Sequence, residues 1–286
     1  LMILTSFVLF LSFADFGLGN GLLNKVTSAH ARSSYHDAQR AISSSLALML
    51  LIASIILLIY FGFYNYIAWN KVFNVQSELA LSEVKPAMTV LIFFIAINLP
   101  LGIVRKIYLG LQKDYSYQIY AAMGSVASLV GIFIGIYFQV GLPGIVFLFF
   151  GGHALVALIK AVKLFYQEYT FLSPKIGLVE LKICKDLLKA GLVFFFLQLF
   201  TLIGSSSDLI IITQFISPEE AGKYAIIQRV FMLAFLSSYF IEPLWPAFGE
   251  AMERGDKAWA KKTIIKALKI SIITTISITI PIIIFI

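Results

Sequence analysis

This sequence predicts an all-α fold, a polytopic bundle of helices that crosses a membrane many times. Three observations carry the prediction. Apolar residues make up 60% of the 286 and charged residues only 13%, with a mean hydropathy of +0.92. A soluble domain carries about a quarter charged residues. Apolar runs also recur at the roughly 20 residues that a helix needs to cross about 30 Å of hydrocarbon. Finally, a run such as LALMLLIASIILLIYFGF (46–63) is apolar on every side, so the alternation of a membrane β-barrel strand is absent.

Eight spans follow in order: A (1–13), B (43–63), C (86–104), D (118–138), E (143–162), F (190–212), G (224–245) and H (267–286). The chain opens on LMILTSFVLFLSF without a basic n-region or cleavage site, which does not read as a signal peptide, and closes on ISITIPIIIFI. Spans A and H are therefore expected to be cut, and the chain to be a piece of a longer membrane protein. The basic residues fall on alternate loops. The A–B loop holds Lys25, Arg32 and Arg40; the C–D loop holds Arg105, Lys106 and Lys113. Six lysines lie between E and F, and six cations between G and H. Eighteen cations thus face three on the other side (Lys71, Lys85 and Lys223), with Arg229 inside span G. By the positive-inside rule the A–B, C–D, E–F and G–H loops are cytoplasmic.

Turn chemistry agrees with that order. VGLPG (140–144) and ISPEEAG (216–222) carry Gly and Pro, suited to short links between antiparallel helices. The longer B–C segment has Tyr64, Tyr66 and Trp69, residues that favour the membrane interface. LVELKICKDLLKAG (178–191) reads as an amphipathic helix lying on the membrane surface, its lysines over anionic lipid. The expected organisation is a first bundle over 1–165, a cytoplasmic amphipathic connector over 166–189, and the start of a second bundle over 190–286.

An internal repeat supports two bundles. At an offset of 222 residues AHARSSYHDAQRAI (29–42) lies over AMERGDKAWAKKTI (251–264), matching Ala29 with Ala251, Arg32 with Arg254, Ala38 with Ala260, and Ile42 with Ile264. Spans A and G are six helices apart in the same orientation, the plan of transporters built from parallel repeats. The expected whole has two lobes and about twelve spans.

Charges inside spans are costly and mark function by default. Asp208 in F and Arg229 in G sit at equal depth on a hairpin, able to pair with each other or to line a polar cavity. Gln198, Gln214, Gln228 and Ser205–Ser207 add polar surface to that hairpin. Glu242 is placed to carry a coupling proton, and Pro243 with Pro246 to kink G as a hinge or a bend. Between A and E no firmly intramembrane cation or acid is expected, since Asp15 and Arg105 stand at span ends. The glycines at 17, 19 and 21 do not form a nucleotide fingerprint and suggest close helix contact or an opened turn. His30 and His36 read as solvated. Cys184 is the single cysteine, so intrachain disulfides and paired-thiolate zinc sites are excluded. Catalytic triads and paired carboxylates are not seen; neither a cofactor nor a nucleic-acid partner is expected.

DFGLGNGLLNKV (15–26) followed by AQRAISS (38–44) resembles the start of a Wzx-type polysaccharide or O-antigen flippase. IYLGLQKDYSYQ (107–118), SSDLIIITQFISPEEAGKYAIIQRVF (206–231) and LWPAFGEAMERGDKAW (244–259) are similar to later segments of that family, in the same order. The resemblance implies a member of the multidrug/oligosaccharidyl-lipid/polysaccharide (MOP) superfamily. It would move an undecaprenyl-pyrophosphate-linked oligosaccharide across a bacterial inner membrane by alternating access. It also implies membrane lipids and the proteins of polysaccharide polymerisation and assembly as partners. On this resemblance the cations for the head group are Arg229 in the cavity and Arg105 and Lys106 at its inner mouth. Three other readings stay open: a multidrug/cation antiporter with a net acidic cavity, where Asp208 or Glu242 dominates; a polyprenyl-dependent glycosyltransferase using a carboxylate of the B–C loop, Glu78 or Glu83; and a lipid II flippase, differing mainly in cargo and in extra helices.

Overall fold

The computed structural model describes residues 15–67, 78–237, 241 and 243–285. Its helices are α1 (Leu18–Ala31), α2 (Tyr35–Phe63), α3 (Glu78–Gly110), α4 (Asp114–Tyr137), α5 (Leu142–Lys163), α6 (Leu181–Phe215), α7 (Pro218–Phe231), α8 (Leu244–Glu253) and α9 (Lys257–Phe285). No strand occurs among the described residues. The chain divides into two units, one ending at Leu192 and one beginning at Val193. Span A lies outside the described residues.

In the first unit α3 is the central helix, packed against α1, α2 and α5, while α4 pairs with α5. Over its most apolar stretch α3 is 56% buried, against about a fifth for α2, α4 and α5. Two apolar clusters hold it. One joins Leu18, Leu22 and Val26 of α1 to Ile42, Met49, Ile103, Ile107 and Tyr108. The other joins Tyr60 to Met88, Leu91, Ile95 and Val146. The outward faces are as apolar as the core: Leu58 is 72% exposed and Phe133 65%. Such a surface is stable against lipid, where the backbone of each helix satisfies itself.

Helix ends follow local chemistry. Ser217 caps α7 by accepting from Glu220 N at 3.2 Å, with Pro218 at the first helical position. The Glu83 carboxylate of α3 accepts from Leu142 N at 2.9 Å, placing an anion on the positive end of α5.

The link between α1 and α2 is three residues long. Arg32 N donates to Ser28 O, Ser33 N to His30 O, and Ser34 N to Ala29 O, with Ser33 left-handed at φ 55°. This is the double closure of a Schellman turn. The link between α8 and α9 repeats it at the 222-residue offset. Arg254 N donates to Glu250 O, Gly255 N to Met252 O, and Asp256 N to Ala251 O, with Gly255 at φ 75°. Both paired alanines, Ala29 with Ala251 and Ala38 with Ala260, are buried. The repeat seen in the letters is a repeat of hydrogen bonds.

Several boundaries differ from expectation. Helix α2 starts at Tyr35 rather than 43, and α3 runs to Gly110, so Arg105 and Lys106 are helical. The expected surface helix over 178–191 is instead the first turns of α6, which runs unbroken for 35 residues. No helix breaker interrupts Leu181–Ala190, and Leu187 is fully buried in the first unit's core. Residues 164–178 form a π turn and two 3-10 turns. In the second unit the α-helix of span G gives way at Met232 to a 3-10 turn, upstream of Pro243, which precedes α8.

Candidate substrate-binding cavity

The chain enters α1 through a turn at Asp15–Gly17, with Phe16 at φ 48° and Gly17 at φ 71°. Asp15 stabilises that turn by accepting from Gly17 N at 3.0 Å and Gly19 N at 3.3 Å. A Cβ at Gly19 would lie 3.2 Å from Lys106 Cε, so the missing side chain makes room for the lysine. Lys106 Nζ donates to Asn20 Oδ1 at 2.7 Å. The preceding residue, Arg105, has Nε 3.7 Å from Asp114 Oδ1, and Asp114 also accepts from Gln118 at 2.9 Å.

These groups border a cavity of about 350 Å³ lined by Asp15, Asn98, Arg105, Lys106, Tyr117 and Phe150 among others. Ile95, Asn98, Gly102, Arg105 and Lys106 recur at three- and four-residue steps, so one face of α3 supplies much of the wall. Two cations beside Asn98 and the Tyr117 hydroxyl can hold an anion with several oxygens. A smaller cavity of about 260 Å³ shares Asn98 and Tyr117 and adds Tyr120, His153 and Lys160.

Lys160 has 0% of its surface exposed. Its ammonium donates to Ser116 Oγ at 2.9 Å and Glu168 Oε1 at 3.1 Å, and stands 4.2 Å from the Tyr108 ring and 4.6 Å from the Tyr120 ring. Tyr108 Oη donates to the other Glu168 oxygen at 2.5 Å. Near the C-terminal end of span E the sequence thus hides a buried charge that its position among apolar residues does not reveal. Lys160 is one of the six lysines assigned to the E–F segment, and its partners come from α3, α4 and the π turn, none adjacent in sequence. His153, also missed, stands at the middle of span E and is the one histidine outside the α1–α2 region.

A second polar set fastens the connector. Arg40 holds Glu180 through two donors, Gln39 donates to Ser173 O at 2.7 Å, and Ser43 and Ser44 accept from Lys175 N and Glu180 N. The Arg40 hydrogen bonds hold the Glu180 carboxyl below its ordinary range.

In the second unit Asp208 accepts from Tyr224 Oη at 3.0 Å, so Tyr224 rather than Arg229 meets it across the hairpin. Arg229 is exposed on α7. Pro243 is exposed just before α8, and Glu242 lies outside the described residues. The sequence-selected residues Arg105 and Lys106 are brought together on one cavity; Asp208, Arg229 and Pro243 belong to the other unit.

Solved transporters share this helix arrangement. A MATE protein in its bent conformation matches with a TM-score of 0.80 at 18% identity, over 94% of this chain and 60% of that one. An outward-facing multidrug resistance MATE transporter of the MOP superfamily matches at 0.69 and 19%, over 98% and 61%. A MOP superfamily transporter from Pyrococcus furiosus, described by the reverse polarity of its binding pocket, matches at 0.68 and 18%, over 96% and 60%. The fold is that of these solved structures. Residues 1–252 match the family described as polysaccharide biosynthesis protein, and the chain belongs to that family. A putative O-antigen transporter of Salmonella typhimurium is 24% identical over 271 residues, covering 91% of this chain. The chain spans 58% of that relative's length.

Proposed function

We propose that this chain is part of a flippase that carries an undecaprenyl-pyrophosphate-linked oligosaccharide across the bacterial inner membrane. Arg105 and Lys106 on one cavity wall, within a polysaccharide biosynthesis family, are the observation that carries the reading. A pyrophosphate cannot enter hydrocarbon unaided, while a polyprenyl tail needs no carrier. The two cations take the phosphates, Asn98 and Tyr117 offer hydrogen bonds, and the tail stays in lipid. Arg229 and Asp208 supply polar surface for the cargo in the second bundle, and Glu242 and Pro243 serve coupling or gating there. Alternating access between a bundle formed by 1–165 and one begun at 190 moves the head group, with the three-residue links before α2 and α4 on the cytoplasmic side.

The test uses the full-length protein in cells that need it for surface polysaccharide. Arg105→Gln and Lys106→Gln each weaken head-group binding about tenfold, the worth of one charged hydrogen bond, and lower export with protein level unchanged. Full export by the double variant overturns the reading. Unchanged export with altered resistance to organic cations favours the antiporter instead. Of the two carboxylates the glycosyltransferase reading could use, Glu83 is engaged at the start of α5.

A further inference from the structure

Midway along α5, His153 meets two serines of α4. Nδ1 lies 2.7 Å from Ser128 Oγ and Nε2 lies 3.3 Å from Ser125 Oγ. A hydroxyl has one proton to give, and each serine has a backbone carbonyl to receive it. Ser128 donates to Phe149 O at 2.6 Å, and Ser125 donates to Ala121 O at 3.2 Å. Both serines therefore turn lone pairs toward the ring. Phe149 O adds another acceptor 3.3 Å from Nδ1. A neutral imidazole has one N–H and satisfies one serine; an imidazolium has two and satisfies both. Glycines permit the arrangement. A Cβ at Gly152 would lie 2.6 Å from Ser128 Oγ, and one at Gly124 would lie 3.4 Å from His153 Cα.

The ring borders the smaller cavity, where Tyr117 and Tyr120 of α4 and Lys160 of α5 are the other titratable groups and α3 contributes the neutral Asn98. Asn98 and Tyr117 also face the cavity that holds Asp15, Arg105 and Lys106. A charge acquired at His153 thus acts on the anion site across two shared residues.

We propose that His153 is a proton-binding site whose occupancy is linked to binding of the anionic head group. The ring takes one proton from water and becomes imidazolium, no other bond changing, and its positive charge strengthens the hold of the adjoining cavity on phosphate. Linkage is reciprocal, so bound anion favours the protonated ring. This inference rests on reading the larger cavity as an anion site.

Full-length protein in lipid nanodiscs, with ring-15N histidine, is titrated by NMR between pH 5 and 8. The His153 signals are assigned by their absence in His153→Gln. Both ring nitrogens are expected to carry protons at the acid end. A ring that keeps one neutral tautomer throughout overturns the proton site. In parallel, binding of a short-chain isoprenyl diphosphate-sugar is measured, a diester whose charge is constant over this range. Wild-type affinity is expected to rise about fivefold or more from pH 8 to pH 6, and that rise to vanish in His153→Gln. Ser125→Ala, at an exposed position, removes the hydroxyl that faces Nε2 and serves where the glutamine variant does not fold. The same pH dependence in wild type and variants overturns the linkage. A titrating His153 with no probe bound at any pH overturns the anion reading of the cavity, and the linkage with it, and leaves the proton site standing.

Discussion

Single missing side chains decide where helices touch in this protein. Gly152 is the sharpest case: a Cβ there would lie 2.6 Å from Ser128 Oγ and 2.8 Å from the Ser128 backbone nitrogen. The backbone atom cannot rotate away, so α4 and α5 must separate. Gly152→Ala is expected to lower stability by about 1–3 kcal/mol, the usual cost of overpacking a close contact, measured as a fall in unfolding temperature of the purified protein in detergent. Gly177→Ala, where nothing lies within 4 Å of the added carbon, is the control and leaves it unchanged. Residue-level chemistry was the least legible part of the sequence. Arg105 and Lys106 could be singled out because two adjacent cations at a span end are visible in the letters. Lys160 could not, since its burial depends on Tyr108, Ser116, Tyr120 and Glu168 arriving from elsewhere.

At the scale of elements, apolar run length identified the helices but shortened several of them and carried span G past the end of its α-helix. Tyr35–Ile42 is too polar to join a hydrophobic window, yet it is helical because Gln39, Arg40 and the following serines bond to the connector. The repeat was legible because turn chemistry is local. Its two copies differ at the left-handed position, Ser33 in one and Gly255 in the other. A side chain in that conformation costs about 1 kcal/mol relative to glycine. Ser33→Gly is therefore expected to stabilise the protein by about that amount, and Gly255→Ser, which meets no atom within 4 Å, to destabilise it similarly; thermal unfolding of the pair checks the sign. The connector gives a pH-dependent expectation. Because Arg40 lowers the Glu180 pKa, the clasp is at full strength above the ordinary carboxylate range and is lost as pH falls through the depressed folded value. Amide protection of residues 172–180, taken relative to the intrinsic exchange rate at each pH, should fall at acid pH in the wild type, and should be low and less pH-dependent in Glu180→Gln.

For the whole molecule, charge bias and span order predicted a sided membrane bundle, and labelling tests that sidedness. In a Cys184→Ser background, Gln112→Cys in the α3–α4 link should react with an impermeant thiol reagent only from the cytoplasmic face. Tyr66→Cys beyond α2 and Gln139→Cys in the α4–α5 link should react only from the opposite face. Labelling of all three from one compartment would refute the orientation. The division of the chain near Leu192 leaves no mark on the local sequence, since α6 runs through that point without a break in pattern or helix.

The sealed Lys160 has a use beyond holding the π turn. Amines that face water are acylated readily by small reagents, whereas this one is shut beneath two phenol rings with no surface of its own. It becomes reactive only when the bundle loosens around Glu168. Its modification would therefore act as a clock for breathing of the first unit, ticking at the rate of opening and silent while the helices stay closed.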